Sequence, residues 1–162
     1  MELKTTITQH INASADTVWA VVTDIPGSAA TLSAVEAVQL LTEGPYAEGT
    51  RWKETRTVMG RQETVEMWVS RCEPPAPRRT AGGTTAGTTV QARQKGADYT
   101  SRFSLAERDG GTDLTLTFVA ALDRPGRLGR AMMAVFGPLG MRMTRKSLAR
   151  DLGEIAARAE SL

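Results

Sequence analysis

The chain has 162 residues, of which 41% are apolar and 23% are charged. This length and composition favour one compact domain over residues 1–162 and exclude a disordered or fibrous protein. Twenty basic and eighteen acidic residues leave a formal net charge of +2, which is too balanced for a protein that holds nucleic acid by charge alone. We therefore expect no nucleic-acid partner.

The scarcity of two residue types excludes several kinds of chemistry. A single cysteine, Cys72, excludes an internal disulfide and a multi-cysteine metal site, and a single histidine, His10, excludes catalysis by two histidines. We expect no metal and no other cofactor. The amino terminus lacks the apolar core of a signal peptide, and no segment approaches the ~20 apolar residues of a membrane span. These features predict a cytoplasmic protein without integral membrane association. We further expect a monomer or homodimer.

The first 33 residues predict one strand and two short helices. Residues 3–12 alternate in a β-branched pattern that is typical of a strand. Ser14 is a suitable N-cap for a helix over roughly 15–24, and the Pro26-Gly27 pair ends that helix. Residues 28–33 predict a further helical turn.

From Val35 onward a period of two predicts an antiparallel meander of six or so strands. Its clearest hairpins pair 50–58 with 62–72 and 99–107 with 112–122. The Gly- and Thr-rich stretch 80–89 predicts a ragged edge strand or a mobile loop. After Pro125 a helical period predicts one long helix with a bend or break at Gly137-Pro138. This order predicts an α+β fold in which an antiparallel sheet wraps around the last helix.

That last helix opens with a run of one charge sign. Residues 124–150 contain Arg and Lys side chains but no Asp or Glu. The run is compatible with a solvated helix face, and also with attraction of anionic lipid or an acyl-carrier partner.

The hairpin around Gly60 allows a parity argument. In the two registers considered, Val58 pairs with Arg61 or with Glu63, and both place Trp52, Glu54 and Arg56 on one face with Met67. Because the other members of this face are apolar, we predict that it points inward.

Glu54 and Arg56 are the unusual members of this inward face. An unpaired ion in such surroundings costs several kcal/mol. One interpretation is an ion pair at a cavity rim, or a face that turns to water at this point. The other is that Arg56 binds a carboxylate, phenolate or carbonyl oxygen of a ligand while Glu54 orients it.

Three segments resemble a known superfamily: INASADTVWAVVTDI (11–25), GTRWKETRTVMGRQETVEMWVSRCEPP (49–75) and RFSLAERDGGTDLTLTF (102–118). With the helical tail, they resemble the START-like (SRPBCC) superfamily, which includes polyketide cyclases, plant pathogenesis-related proteins and lipid-transfer domains. The resemblance implies a helix-grip fold with a ligand cavity between the sheet and the last helix. Most such proteins bind sterols, lipids, polyketides or plant hormones, and a minority catalyse cyclisation or aromatisation.

The resemblance implies binding of a small hydrophobic or amphipathic molecule, lipid or polyketide-like, in that cavity. The alternative is a polyketide cyclase, aromatase or dehydratase in which Arg56 polarises a carbonyl, Glu54 moves a proton and Tyr99 positions the substrate. No nucleophile and base pair is present, so we assign no catalytic residue. A third possibility is an interaction module with a collapsed cavity. The predicted ligand-binding residues are Trp52, Glu54, Arg56, Met67, Tyr99, Ser101, Phe103, Leu116, Phe118, Met132 and Phe136.

Overall fold

The computed structural model describes residues 1–58, 60–77, 81–123 and 126–162, apart from the side chains of residues 129 and 131–136. The elements in chain order are β1 (Glu2–Ile11), α1 (Ala15–Thr23), α2 (Ser28–Thr31), β2 (Val35–Leu40), β3 (Arg51–Val58), β4 (Arg61–Glu73), β5 (Thr85–Gln94), β6 (Ala97–Arg108), β7 (Gly111–Leu122) and α3 (Arg127–Glu160).

The strands form one antiparallel sheet in the order β1-β7-β6-β5-β4-β3-β2. Strands β2 to β7 are neighbours in sequence and in space, as a meander requires. β1 pairs with β7, so β1 and β2 are the two edge strands of the sheet. The predicted strand, short helices, strands and long helix are thus confirmed in their order.

The two faces of the sheet differ because side chains alternate along each strand. On β1, Thr5 and Ile11 are buried, whereas the even-numbered side chains are exposed. Leu152 and Ile155 of α3 are buried on this inner side, and the helix lies beside β1, α1 and α2. A sheet with a long helix against its inner face is the helix-grip arrangement, so the predicted α+β fold class is confirmed.

Two groups of apolar side chains fill opposite parts of the inner face. The first core cluster joins β1, α1, β6, β7 and the second half of α3, and includes Leu114 and Leu152. The second core cluster lies on β3, β4 and β5, where Ile25, Trp52 and Val90 pack together. The candidate site described below lies on the inner face between these two clusters.

The prediction of an edge strand or loop over residues 80–89 was wrong for residues 85–89, whereas residues 81–84 lie outside the strands. β5 begins at Thr85 and lies between β4 and β6 in the interior of the sheet, where Thr88 and Thr89 are buried. Threonine is β-branched and suits a strand. Gly87 is also suited to this place, because a Cβ there would lie 3.3 Å from the carbonyl oxygen of Phe103.

The sequence predicted the start of α1 correctly, but α3 does not break at its internal proline. The Ser14 Oγ accepts a hydrogen bond from the Thr17 N–H at 3.2 Å, which confirms the predicted N-cap. α3 continues through Gly137 and Pro138, so the predicted alternative of a break is wrong. The proline removes one backbone hydrogen bond without ending the helix.

Candidate functional site

The register of the β3–β4 hairpin places the predicted residues on the inner face. Val58 pairs with Arg61, Arg56 with Glu63, and Trp52 with Met67. This is one of the two registers considered, and it confirms the predicted parity. Trp52 is buried, whereas Glu54, Arg56 and Met67 are half-buried.

Arg56 is held by two carboxylates on different elements. Its Nε donates to Glu54 Oε1 at 2.9 Å, and its Nη1 donates to Asp151 Oδ2 on α3 at 2.7 Å. The side chains of Arg56, Glu54 and Asp151 are 23%, 12% and 10% exposed. We call these three residues the acid–arginine cluster, and it links the sheet to the helix across the inner face.

Sequence reasoning missed Asp151. Its position in the helical period could have revealed it. Leu148 lies three residues before Asp151 and Ile155 lies four residues after it, and Leu152 is the next residue. An acid at this position shares the face that α3 buries. It is also the first acid after the long basic run, and so was available to balance a charge across the inner face.

Burial and charge oppose each other in this cluster. Burial acts to lower the pKa of Arg56, but the charges of Asp151 and Glu54 outweigh it, and the net shift of the pKa is upward. Burial raises the pKa of Asp151 above its ordinary value, although the charge of Arg56 opposes the change. Arg56 therefore stays charged, while Asp151 is more readily protonated than an exposed aspartate.

Two buried polar atoms lie on the inner side without a hydrogen-bond partner among the described residues. They are the Trp52 Nε1, which can only donate, and the Asp151 Oδ1. A buried polar group without a partner costs about 1–3 kcal/mol. Each atom therefore marks a position where an incoming polar group would be stabilised.

The middle of the inner face carries aromatic and small side chains. Tyr99, Ser101, Phe103 and Phe118 are half-buried, and the rings of Tyr99 and Phe118 stack with centroids 6.0 Å apart. Leu116 is only 3% exposed and belongs to the first core cluster. The predicted side chains of Met132 and Phe136 lie outside the described residues.

Tyr46, in the loop between β2 and β3, was also missed. Its hydroxyl and Thr88 Oγ1 are hydrogen-bonded at 2.7 Å, and its ring meets Trp19 edge-on at 6.3 Å. Burial raises the pKa of Tyr46 to about 12. A loop residue has no periodicity that would have revealed its contribution to the second core cluster.

The outer face has different chemistry. A groove of about 840 Å³ is lined there by residues such as Gly87, Arg102, Ser104 and Thr115. It is polar and lies on the side of the sheet away from α3, so it is not the cavity that the sequence predicted. Trp68 lies on this outer face beneath the guanidinium of Arg51, which is 5.4 Å from the ring centroid.

Two kinds of site are absent from the described part of the chain. No group of three or more His, Cys, Asp or Glu side chains in these ranges is arranged to hold a metal ion. The same ranges contain no helix with the length and hydrophobicity needed to cross a membrane.

The sheet, the long helix and the inner face define a START-like helix-grip protein. A family model described as polyketide cyclase/dehydrase and lipid transport matches residues 2–160. The chain belongs to this family. No curated protein matches it.

Several solved structures share the fold at low sequence identity. The Zhui aromatase/cyclase from Streptomyces sp. R1128 is 18% identical with a TM-score of 0.72, over 99% of this chain and 94% of that one. A START superfamily protein from Mycobacterium smegmatis is 14% identical with a TM-score of 0.71, over 98% and 97% of the two chains. A norcoclaurine synthase from Thalictrum is 15% identical with a TM-score of 0.65, over 98% and 94%. At these identities the likeness shows the fold alone.

Proposed function

We propose that the protein binds a small hydrophobic or amphipathic molecule, lipid or polyketide-like, between the sheet and α3. One observation carries the proposal. Tyr99, Ser101 and Phe118 keep accessible surface on the inner face, although both core clusters beside them are filled. Ligand sites are typically apolar and aromatic with a few well-placed polar groups, and this stretch has both.

The acid–arginine cluster supplies the polar end of the proposed site. Arg56 and Asp151 are fixed by their hydrogen bond, so their orientation is set before a ligand arrives. The Asp151 Oδ1 and the Trp52 Nε1 offer one acceptor and one donor. An amphipathic ligand would bury its apolar body near Tyr99 and Phe118 and place its polar group at the cluster.

The second candidate is a cyclase, aromatase or dehydratase that uses the same site. The observation in its favour is that the pKa of Asp151 is raised by burial, beside a fixed guanidinium. Such a carboxyl is suited to moving a proton, and Arg56 could stabilise developing negative charge on a carbonyl oxygen. The relative from Streptomyces sp. R1128 is an aromatase/cyclase, which makes this reaction class the one to test.

Native mass spectrometry of freshly purified protein separates binding from an interaction module. A retained lipid-sized mass, or a rise in melting temperature with members of a lipid and polyketide panel, supports binding. An empty protein that gains no stability across the panel contradicts it.

Two serines on β6 give a matched pair of variants. Ser101 points to the inner face and Ser104 to the outer face, where it is exposed. Ser101→Phe should remove the ligand-dependent rise in melting temperature by filling the site, whereas Ser104→Phe should keep it. Equal loss in both variants would contradict the location of the site.

The enzyme alternative has a separate test. Turnover of a poly-β-keto mimic by the native protein, lost in Arg56→Ala and Asp151→Asn while circular dichroism shows an intact fold, would establish it. Binding of the same mimic without turnover would leave carriage as the function.

A further inference from the structure

The charges at the site exclude one kind of ligand. Arg56 is a single positive charge, and it already contacts two carboxylates. The cluster therefore has a net charge of about −1 with both acids ionised, and about zero if Asp151 holds a proton. Neither state leaves a positive charge for an acidic ligand.

The ionisable groups next to Arg56 and Asp151 add no net positive charge to this balance. Glu63, opposite Arg56 on β4, binds Lys95 at 3.0 Å and Gln94 at 2.6 Å. Glu154, one turn after Asp151 on α3, accepts hydrogen bonds from the Ser33 N–H and Oγ. Lys95 is thus matched by Glu63, while Glu154 adds negative charge.

We propose that this site selects a neutral, hydroxyl-bearing apolar ligand over the corresponding carboxylate, and that the Asp151 Oδ1 binds the hydroxyl. The inference deepens the proposed function and rests on it. It also removes the carboxylate from the ligand groups that the sequence suggested for Arg56, because two carboxylates of the protein already balance the charge of the guanidinium.

A hydroxyl fits Asp151 in either protonation state. An ionised carboxylate accepts a hydrogen bond, and the hydroxyl can donate it. When Asp151 is protonated, Oδ2 still accepts from Arg56, so the proton belongs on Oδ1 and the hydroxyl accepts instead. A ligand carboxylate fits only the protonated state, and it would meet Glu54 and Glu154 as like charges.

The Trp52 Nε1 donates to any oxygen, so it does not discriminate between the two ligands. It lies four residues from Arg56 on the same strand face, roughly 13 Å along the strand. Selection between hydroxyl and carboxylate therefore depends on Asp151, whereas Trp52 would add affinity for a second oxygen.

Two matched ligand pairs test the proposal: 2-naphthol with 2-naphthoate, and dodecan-1-ol with dodecanoate. Their dissociation constants are measured at pH 7.5 with the native protein, Asp151→Asn and Glu54→Gln. Glu66→Gln serves as the control, because Glu66 pairs with Arg51 on the exposed outer face. Circular dichroism verifies the fold of each variant.

The native protein and Glu66→Gln should bind an alcohol at least about tenfold more tightly than its acid, since one buried charge-assisted hydrogen bond is at stake. Asp151→Asn and Glu54→Gln should each reduce this preference to about threefold or less, because each removes a negative charge. An acid that binds as tightly as its alcohol, or a preference unchanged in Asp151→Asn, overturns the inference alone. Failure of every probe to bind the native protein overturns the proposed function with it.

Discussion

The described apolar side chains differ in burial between the two halves of α3. In the second half, Leu152 and Ala159 are at most 1% exposed. In the first half, Leu128 is 76% exposed, Leu139 56% and Met143 43%. At about 100° per residue, these three lie within roughly 60° of one another, and Met143 points about 180° away from Leu152. These three side chains therefore lie on the side of the helix that faces away from the sheet.

The described side chains of the two halves therefore contribute differently to stability. The second half anchors the fold, and it is tied to the rest of the chain by Asp151, Glu154 and Glu160, which bind Arg56, Ser33 and Asn12. In the first half, the half-buried positions 137, 141 and 144 carry Gly, Met and Thr, of which only Met has a large apolar side chain. Stability should therefore depend on the second half.

The largest expected effect comes from truncating the anchor. Leu152→Ala should lower the free energy of unfolding by about 3 kcal/mol, because it removes buried methyl groups and leaves a cavity. Leu128→Ala, in the exposed first half, should change it by less than about 0.5 kcal/mol. Urea denaturation measures both, and equal losses would break the comparison.

The next effect comes from the acid–arginine cluster. Arg56→Met should cost about 2–3 kcal/mol, somewhat less than a fully buried pair, because it leaves Glu54 and Asp151 facing each other without a cation. Arg51→Met removes a surface ion pair whose side chains are 49% and 43% exposed, and should cost less than about 1 kcal/mol. A loss in Arg56→Met no larger than the surface control would show that the cluster does not tie helix to sheet.

A smaller effect is expected at the next turn of the helix. Glu154→Gln keeps the side-chain shape but weakens the charge-assisted hydrogen bonds from Ser33, and should cost about 1 kcal/mol. Denaturation of Glu154→Gln beside Glu66→Gln, where the partner is an exposed arginine, measures the difference. A stability unchanged in Glu154→Gln would remove this contact from the anchor.

The smallest effect is a change of slope with pH. Because the pKa of Asp151 is raised by burial, the folded state keeps the proton where the unfolded chain has already lost it. The stability of the native protein relative to Asp151→Asn should thus fall as pH rises from about 4, the unfolded value, through the raised pKa. Parallel denaturation series give the difference. A difference that increases with pH would mean that Arg56, rather than burial, controls the pKa among its neighbours Glu54 and Glu154.

The residues of the inner face could be predicted from the sequence. A shift of two residues in the β3–β4 register leaves every side chain on the same face of the sheet. That is why Trp52, Glu54 and Arg56 share a face in the structure. The position of β5 could not be predicted, since threonine and glycine occur in both strands and loops, and only the pairing with β4 and β6 decides between them. Asp151 was missed because the contact with Arg56 joins residues 95 positions apart.

The central claim is that a ligand binds on the inner face beside Trp52 and the acid–arginine cluster. The chain has three tryptophans, and Trp19 and Trp68 provide internal controls. Titration of ¹⁵N-labelled protein with 2-naphthol or dodecan-1-ol, with each indole signal assigned by a Trp→Phe variant, reports on all three. We expect the Trp52 indole N–H resonance to shift most and the outer-face Trp68 resonance to stay in place. A shift confined to Trp68, or binding that leaves Trp52 unmoved, would contradict the account.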